Sequence, residues 1–250
     1  MILRNSIPFI KLNQADRMNL FYTETIHQSE AVSIFLLEGQ EAHHAVQVLR
    51  LKAGDHLHAT DGKGHIFHGV IKEVNKTSVR AAIEQQVAHP APTPEICIAI
   101  GLIKKRERLE FAIEKAVELG VTRFVIFNAD RSEKKGMRLE RLKTAALGAM
   151  KQSLRCWLPV IEECPNLDTL LKNYEGIKTI VADEKEEPGS AGRRVWNRHQ
   201  KLLFIVGPEG GFSDRERDVL DQTDAERFSL GRYRLRTETA VIALAGLFLE

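Results

Sequence analysis

Apolar residues change their spacing once along this chain, close to residue 90. Before that point, short alternating runs at 56–60, 65–72 and 77–83 are split by turn residues at Asp61-Gly62-Lys63-Gly64 and Asn75-Lys76. Short strands separated by regular turn signals predict a small antiparallel β-barrel. After it, continuous apolar runs at 96–103, 124–127, 179–182, 202–206 and 227–230 alternate with helical patterns. Strands apolar on both sides, joined by helices, predict an α/β unit with a mostly parallel sheet covered on both faces. In one helix Leu109, Ala112, Ile113, Ala116 and Val117 recur at i, i+3, i+4, i+7 and i+8, with Gly120 as the stop. Between the two patterns, Val87-Ala88-His89-Pro90-Ala91-Pro92-Thr93-Pro94 carries three prolines in five positions. Proline supplies no N–H and fixes φ, so this stretch ends both patterns and predicts a domain boundary near residue 90.

The last fifth of the chain carries the chemistry. Leu202 to Val206 breaks into Gly207-Pro208-Glu209-Gly210-Gly211, and a second strand-like run ends at Leu230-Gly231 and continues Arg232-Tyr233-Arg234-Leu235-Arg236-Thr237-Glu238-Thr239-Ala240. Ser213 and Glu216 form a capping-box pattern that starts one helix; Thr237 and Glu238, in the first turn, start another that runs through Val241 to Leu249. Two such units place two loops side by side at the C-terminal ends of parallel strands, where open α/β sheets bind ligands. Neither G-x-x-x-x-G-K-[ST] nor G-x-G-x-x-G occurs, which argues against a nucleoside triphosphate or NAD. Glu209 and Glu238 repel phosphate but suit hydroxyls, an amine or a sulfonium, while loop amides can hold an adenine edge or a carboxylate. That chemistry fits S-adenosylmethionine better than ATP.

The motif I-V-G-P-E-G-G-F-S-D-x-E at 205–216, followed by S-L-G-R-Y-R-L-R-T-E-T-A at 229–240, resembles the ribosomal RNA small subunit methyltransferase E family. Glu114 to Val121, Arg131-Ser132, Gln152-Ser153-Leu154-Arg155 with Leu158-Pro159, His44 to Asp55, and Asp61-Gly62-Lys63-Gly64 agree with it, so the similarity covers 18–250. Lys151 and Arg234 depart from the family's acidic and apolar residues at those places. The resemblance implies methylation of uridine N3 in 16S rRNA of the small ribosomal subunit, with S-adenosylmethionine as donor. It also implies a SPOUT-type α/β domain whose C-terminal chain forms a trefoil knot, a PUA-like barrel, and a homodimer. Domains are then an N-terminal extension at 1–17, an RNA-binding barrel at 18–90, and the knotted domain at 91–250. The donor is expected on Ala182, Gly207, Pro208, Glu209, Gly210, Leu230, Gly231, Leu235, Glu238 and Thr239. Arg236 is expected to stabilise the uridine anion, against the blander role of a surface ion pair. Glu209 would hold or receive the N3 proton, orient the donor, or cap a helix.

Net charge is only +2, so overall charge does not point to nucleic acid, but its distribution does. Lys104-Lys105-Arg106 opens a helix against the favourable dipole sign, and basic residues continue from Arg131 to Arg155. An RNA-facing edge and a solvated cationic face both fit. Arg50, Lys52 and Lys63 are the barrel candidates for phosphate contact, with Arg131 and Arg155 in the second domain. Six histidines lie between His43 and His68, and His56-x-His58 shares a strand face, yet no cysteine or acidic cluster joins them at ligand spacing, so no metal is expected. Cys97, Cys156 and Cys164 are odd in number and lack metal spacing, which reads as reduced thiols in a cytoplasmic protein. No apolar run approaches ~20 residues, and Ile7 to Ile10 is too short for a secretory core, so neither membrane nor export is expected. Two other readings stay open: a knotted methyltransferase for another RNA position, and a non-catalytic RNA-binding protein of the same fold.

Overall fold

The structure, a computed structural model, describes residues 19–28, 32–133, 138–186 and 201–247. The chain divides into one unit running to Thr60 with Ile66–Gln86, and a second made of Asp61–His65 with Val87 onward.

In the first unit β1 (Leu20–Tyr22), β2 (Thr25–His27) and β3 (Ile34–Glu38) precede α1 (Gly39–His43), which runs into a π-helical turn at His44–Val48. β4 (His56–Thr60), β5 (His65–Val74) and β6 (Ser78–Ala88) follow, and the sheet order is β1-β4-β5-β6-β3-β2. Its two outermost strands are consecutive in the chain, separated only by Thr23 and Glu24. Thr23 is buried and serves both edges: its N–H donates to the Thr60 carbonyl at 2.9 Å, and its hydroxyl donates to the Leu36 carbonyl at 2.7 Å. Joining the edges through so short a link requires the sheet to curl on itself. The expected antiparallel pattern holds for β2–β3, β3–β6 and β4–β5, but β1 pairs with β4 in parallel. That pairing is set by the closure through Thr23, which no local alternation encodes. Phe21, Phe35, Leu37, Phe67, Val79 and Ala81 fill the interior with Ala42 and Ala45 from the helical segment.

The second unit contains β7 (Ile96–Gly101), α2 (Arg106–Glu118), β8 (Arg123–Phe127), α3 (Leu139–Gln152), β9 (Val160–Cys164) and α4 (Leu167–Asn173). It continues with β10 (Lys178–Ala182), β11 (Leu202–Val206), α5 (Asp214–Asp221), β12 (Glu226–Phe228) and α6 (Thr237–Gly246). The sheet order is β12-β10-β11-β7-β8-β9, with every pairing parallel. Every residue of β7 and β11 is buried, as continuous apolar runs at the centre of a two-sided sheet require. The five-residue α2 stripe is buried in full.

The chain builds outward from β7 through β8 to β9, then resumes on the far side, so the direction of winding reverses between β7 and β11. Register brings the C-terminal residues of three strands level: Ala182 pairs with both Val206 and Phe228. The first strand ends at Gly101 rather than 103, because Leu102 turns to donate its N–H to Phe127; Leu102 and Ile103 stay buried in the loop. β9 and α4 have no counterpart in the sequence reading, since β9 is an edge strand whose Val160 and Glu163 face solvent. The trefoil knot is a property of the whole chain path, and part of that path, 187–200, lies outside the described residues, as do 1–17 and the end of the helix predicted to reach 249. No helix among the described residues is long and apolar enough to cross a membrane.

Candidate functional site

Three loops follow the level ends of β10, β11 and β12 and surround a cavity of about 920 Å³, with Arg108 of α2 and the start of α6 completing its wall. Each loop is fixed from below. After β10, the buried Asp183 carboxylate accepts from Arg217 Nε at 3.1 Å and Nη2 at 3.3 Å, and from the Lys185 N–H at 3.1 Å. One acid thus satisfies a buried guanidinium and shapes the turn. Arg217 also donates to the Phe212 carbonyl, tying the first loop to the second. After β11, the Thr237 hydroxyl donates to the Gly207 carbonyl at 3.1 Å. Both Glu209 carboxylate oxygens lie 3.2 Å from the Lys104 N–H that donates to them. After β12, Arg234 reaches the Glu184 carboxylate at 3.2 Å and the Glu209 carbonyl at 3.4 Å.

Close approach sets a further constraint. A Cβ placed on Gly101 would lie 2.6 Å from Pro208 Cδ and 2.7 Å from Pro208 N, so only glycine lets the second loop sit over the end of β7. The capping box forms as the sequence predicts: Ser213 Oγ accepts the Glu216 N–H at 3.0 Å, and Glu216 accepts the Ser213 N–H at 2.8 Å. The other Glu216 oxygen accepts the Asp130 N–H at 3.0 Å. This fully buried glutamate therefore locks the start of α5 to the loop after β8.

Electrostatically the cavity is mixed. Glu184, Glu186 and Glu209 line it beside Lys185, Arg232, Arg234 and Arg236. Arg236 is the N-cap of α6, with extended backbone angles and no side-chain cap. The first-turn N–H groups of that helix carry partial positive charge, to which the guanidinium adds a full one. Glu238, in the first turn of α6 and buried, has Oε1 3.6 Å from Arg108 Nε, while Oε2 has no hydrogen-bond partner among the described residues.

Of the expected donor residues, Ala182, Gly207, Pro208, Glu209, Leu230, Gly231 and Leu235 line this one cavity, as does Arg236. Three do not. Gly210 turns outward, its carbonyl accepting from Arg131 Nη1 at 3.0 Å; Thr239 is exposed on α6; Glu238 sits behind the wall against Arg108. Sequence reasoning missed Gly101, Arg108, Asp183 and Tyr233. A glycine ending an apolar strand was a usable sign for the first, and adjacency to the L-R-T-E-T-A motif for the last.

The RNA candidates fall in both units. Arg50 and Lys52 are exposed in the first unit, with the Lys52 N–H donating to Asp55 at 2.7 Å. Lys63 is exposed in the 61–65 loop of the second unit, in a β-bridge with Trp157. Arg155 turns inward instead: its guanidinium lies over Gly120, donates to the Glu118 carbonyl at 3.4 Å, and has its pKa lowered by burial. His58 and His68 face each other with their Nδ1 atoms 2.7 Å apart, and burial lowers the His68 pKa. Among the described residues no group of three or more His, Cys, Asp or Glu could hold a metal ion. All three cysteines are buried free thiols, and burial pushes Cys97 up to about 12.

Residues 89–249 match the family model of the RNA methyltransferase domain, and 37–84 match that of the RNA methyltransferase PUA domain. Ribosomal RNA small subunit methyltransferase E of Bacillus subtilis is 31% identical over 238 residues, covering 89% of this chain and 93% of its own. The chain belongs to the ribosomal RNA small subunit methyltransferase E family. A probable rRNA-methyltransferase from Porphyromonas gingivalis, solved as a crystal structure, is 34% identical, covers 91% of this chain and 95% of its own, and gives a TM-score of 0.79. The methyltransferase E of Neisseria gonorrhoeae, solved with S-adenosyl methionine bound, shares the fold at 24% identity, with a TM-score of 0.79 over 91% of this chain and 95% of that one. Every residue of the cavity wall falls within the stretch matched by the RNA methyltransferase domain.

Proposed function

We propose that this protein transfers the methyl group of S-adenosylmethionine to N3 of a uridine in 16S rRNA of the small ribosomal subunit. The observation that carries the mechanism is Arg236 at the uncapped start of α6, opening onto a cavity formed by three converging loops.

The cavity suits the donor. At about 920 Å³ it falls within the range of small-molecule sites. Glu184 and Glu209 supply carboxylates compatible with ribose hydroxyls, an amine and a sulfonium, and the close-packed Gly101–Pro208 contact gives a firm wall. When bound, S-adenosylmethionine supplies an electrophilic methyl on a positively charged sulfur. The residues then have separable tasks. Uridine N3 must lose its proton before its lone pair can attack, so negative charge develops on the imide. Arg236 and the first-turn N–H groups of α6 are placed to stabilise it, and they need no reorganisation to do so. Glu209 is oriented by the Lys104 N–H, which leaves its carboxylate fixed at the wall as a proton acceptor or donor-orienting group. The loops hold both reactants in line, and no covalent enzyme intermediate is required.

The proposal extends to the trefoil knot and the homodimer that family membership implies, and to work in the cytoplasm, where ribosomal RNA is made accessible. Phe111 on α2 and Leu247 beyond α6 are exposed apolar side chains on two helices that pack together, which fits a face used in pairing. The test is methyl transfer from labelled donor to small subunits of cells lacking the gene, followed by mass mapping. Label at one uridine N3 is the expected result. Label at another position would keep the enzyme and replace its target, and donor binding without transfer would favour the binding-only reading.

A further inference from the structure

We propose that Tyr233 is a base-stacking residue that holds single-stranded RNA at the mouth of the cavity. This rests on the reading of the cavity as a methyltransferase site.

Tyr233 is 86% exposed, whereas the other large apolar side chains on the surface reach at most 60% among the described residues. A tyrosine ring left this open in a loop lining the main cavity has a whole face free for a ligand. Its setting is cationic. Arg232 and Arg236 are exposed and line the same cavity, and their guanidinium groups have no hydrogen bond or ion pair among the described residues. Arg234 differs, since its contacts with Glu184 and Glu209 anchor the middle of the loop. One tethered arginine thus fixes a loop that displays an aromatic ring between free guanidiniums.

That combination is the chemistry of single-strand recognition: the ring stacks on any base face, and the free cations meet flanking phosphates. A duplex does not fit, because its bases are already stacked on one another and their faces are closed to a side chain. A protein partner would meet two unpaired positive charges beside the ring, and would require acidic groups to match them. The ring therefore takes the target uridine or its immediate neighbour as that base leaves its stack, and sets the reach of the nucleotide into the cavity.

The test is fluorescence anisotropy of a labelled single-stranded oligouridylate with the full-length protein, needing no methyl transfer. Tyr233→Ala is expected to weaken binding roughly tenfold to a hundredfold, the loss of one base–aromatic stack, while Tyr233→Phe and Tyr233→Trp keep it. Binding of S-adenosylhomocysteine, followed by calorimetry, should stay within a few-fold in all three, which also shows that each variant is folded. In turnover, Tyr233→Ala should raise KM for RNA more than it lowers kcat. Wild-type affinity in Tyr233→Ala, or failure of Tyr233→Phe to rescue it, would overturn the stacking role. Equal competition by duplex RNA would overturn the single-strand preference. Because binding is read without turnover, a wrong target base in the mass mapping leaves this result standing, and a negative result here leaves that mapping standing.

Discussion

The hydroxyl of Thr237, first residue of α6, donates to the carbonyl of Gly207, first residue beyond β11, at 3.1 Å and out of contact with solvent. Thirty residues apart in sequence, the two motif loops are thereby made one wall. Thr237→Val removes the donor but keeps the shape, stranding a buried carbonyl at a cost of about 1–3 kcal/mol. Thr237→Ser should retain most of that stability. Denaturant midpoints of the three proteins, with donor affinity alongside, would check it.

Gly101→Ala tests the close approach over β7. A methyl group 2.6 Å from Pro208 cannot be accommodated without moving the loop. The expected cost is ~1–3 kcal/mol of stability, as for other overpacked sites, together with weaker donor binding. Unchanged melting and titration would show that the loop gives way freely.

Arg236→Ala should lower kcat by about 10²–10³-fold, the loss typical of one removed electrostatic stabiliser, with donor affinity nearly unchanged. The charge it meets forms only during reaction. Single-turnover assays with saturating RNA separate this from a binding defect.

Acid stability should depend on Asp130. Its carboxylate accepts from Arg215 Nε and Nη2 at 2.9 Å each and from the Ser213 hydroxyl at 2.6 Å, and these bonds, Arg215 first, lower its pKa. A pKa lower in the folded than in the unfolded state stabilises the fold above the unfolded value of roughly 3.9, and that contribution disappears as pH falls through the folded value. Asp130→Asn should therefore lose less stability than wild type between pH 5 and 3, measured by denaturation at each pH.

Arg155→Ala separates structure from RNA contact. With its guanidinium spent on the Glu118 carbonyl, the variant should lose stability while the salt slope of RNA binding stays as in wild type. Replacing the exposed Arg50, Lys52 and Lys63 together should instead flatten that slope by up to about 2 if these cations meet phosphate.

The parts legible in the sequence were those with local signals. The α2 stripe needed only its spacing, and the two motif loops needed only glycine, proline and a capping box. What escaped depends on partners far along the chain. Asp183 and Arg217 are 34 positions apart and reveal nothing until burial brings them together. Arg155 reads as one more surface cation, because charge is visible in a sequence and direction is not. The two edges of the first sheet meet through Thr23, a residue with no pattern of its own.

The place of β7 at the centre of its sheet has a consequence during synthesis. Its neighbour β8 follows within a few tens of residues, but its other neighbour, β11, begins only at Leu202. At ~5–20 residues per second, the intervening stretch of about a hundred residues keeps one edge of Ile96-Cys97-Ile98-Ala99-Ile100 unpaired for roughly 5–20 s on the ribosome. An apolar edge open for that long is a template for pairing with other chains. The strand that makes the finished sheet most secure is thus the one that most needs chaperone cover while the chain is still being made.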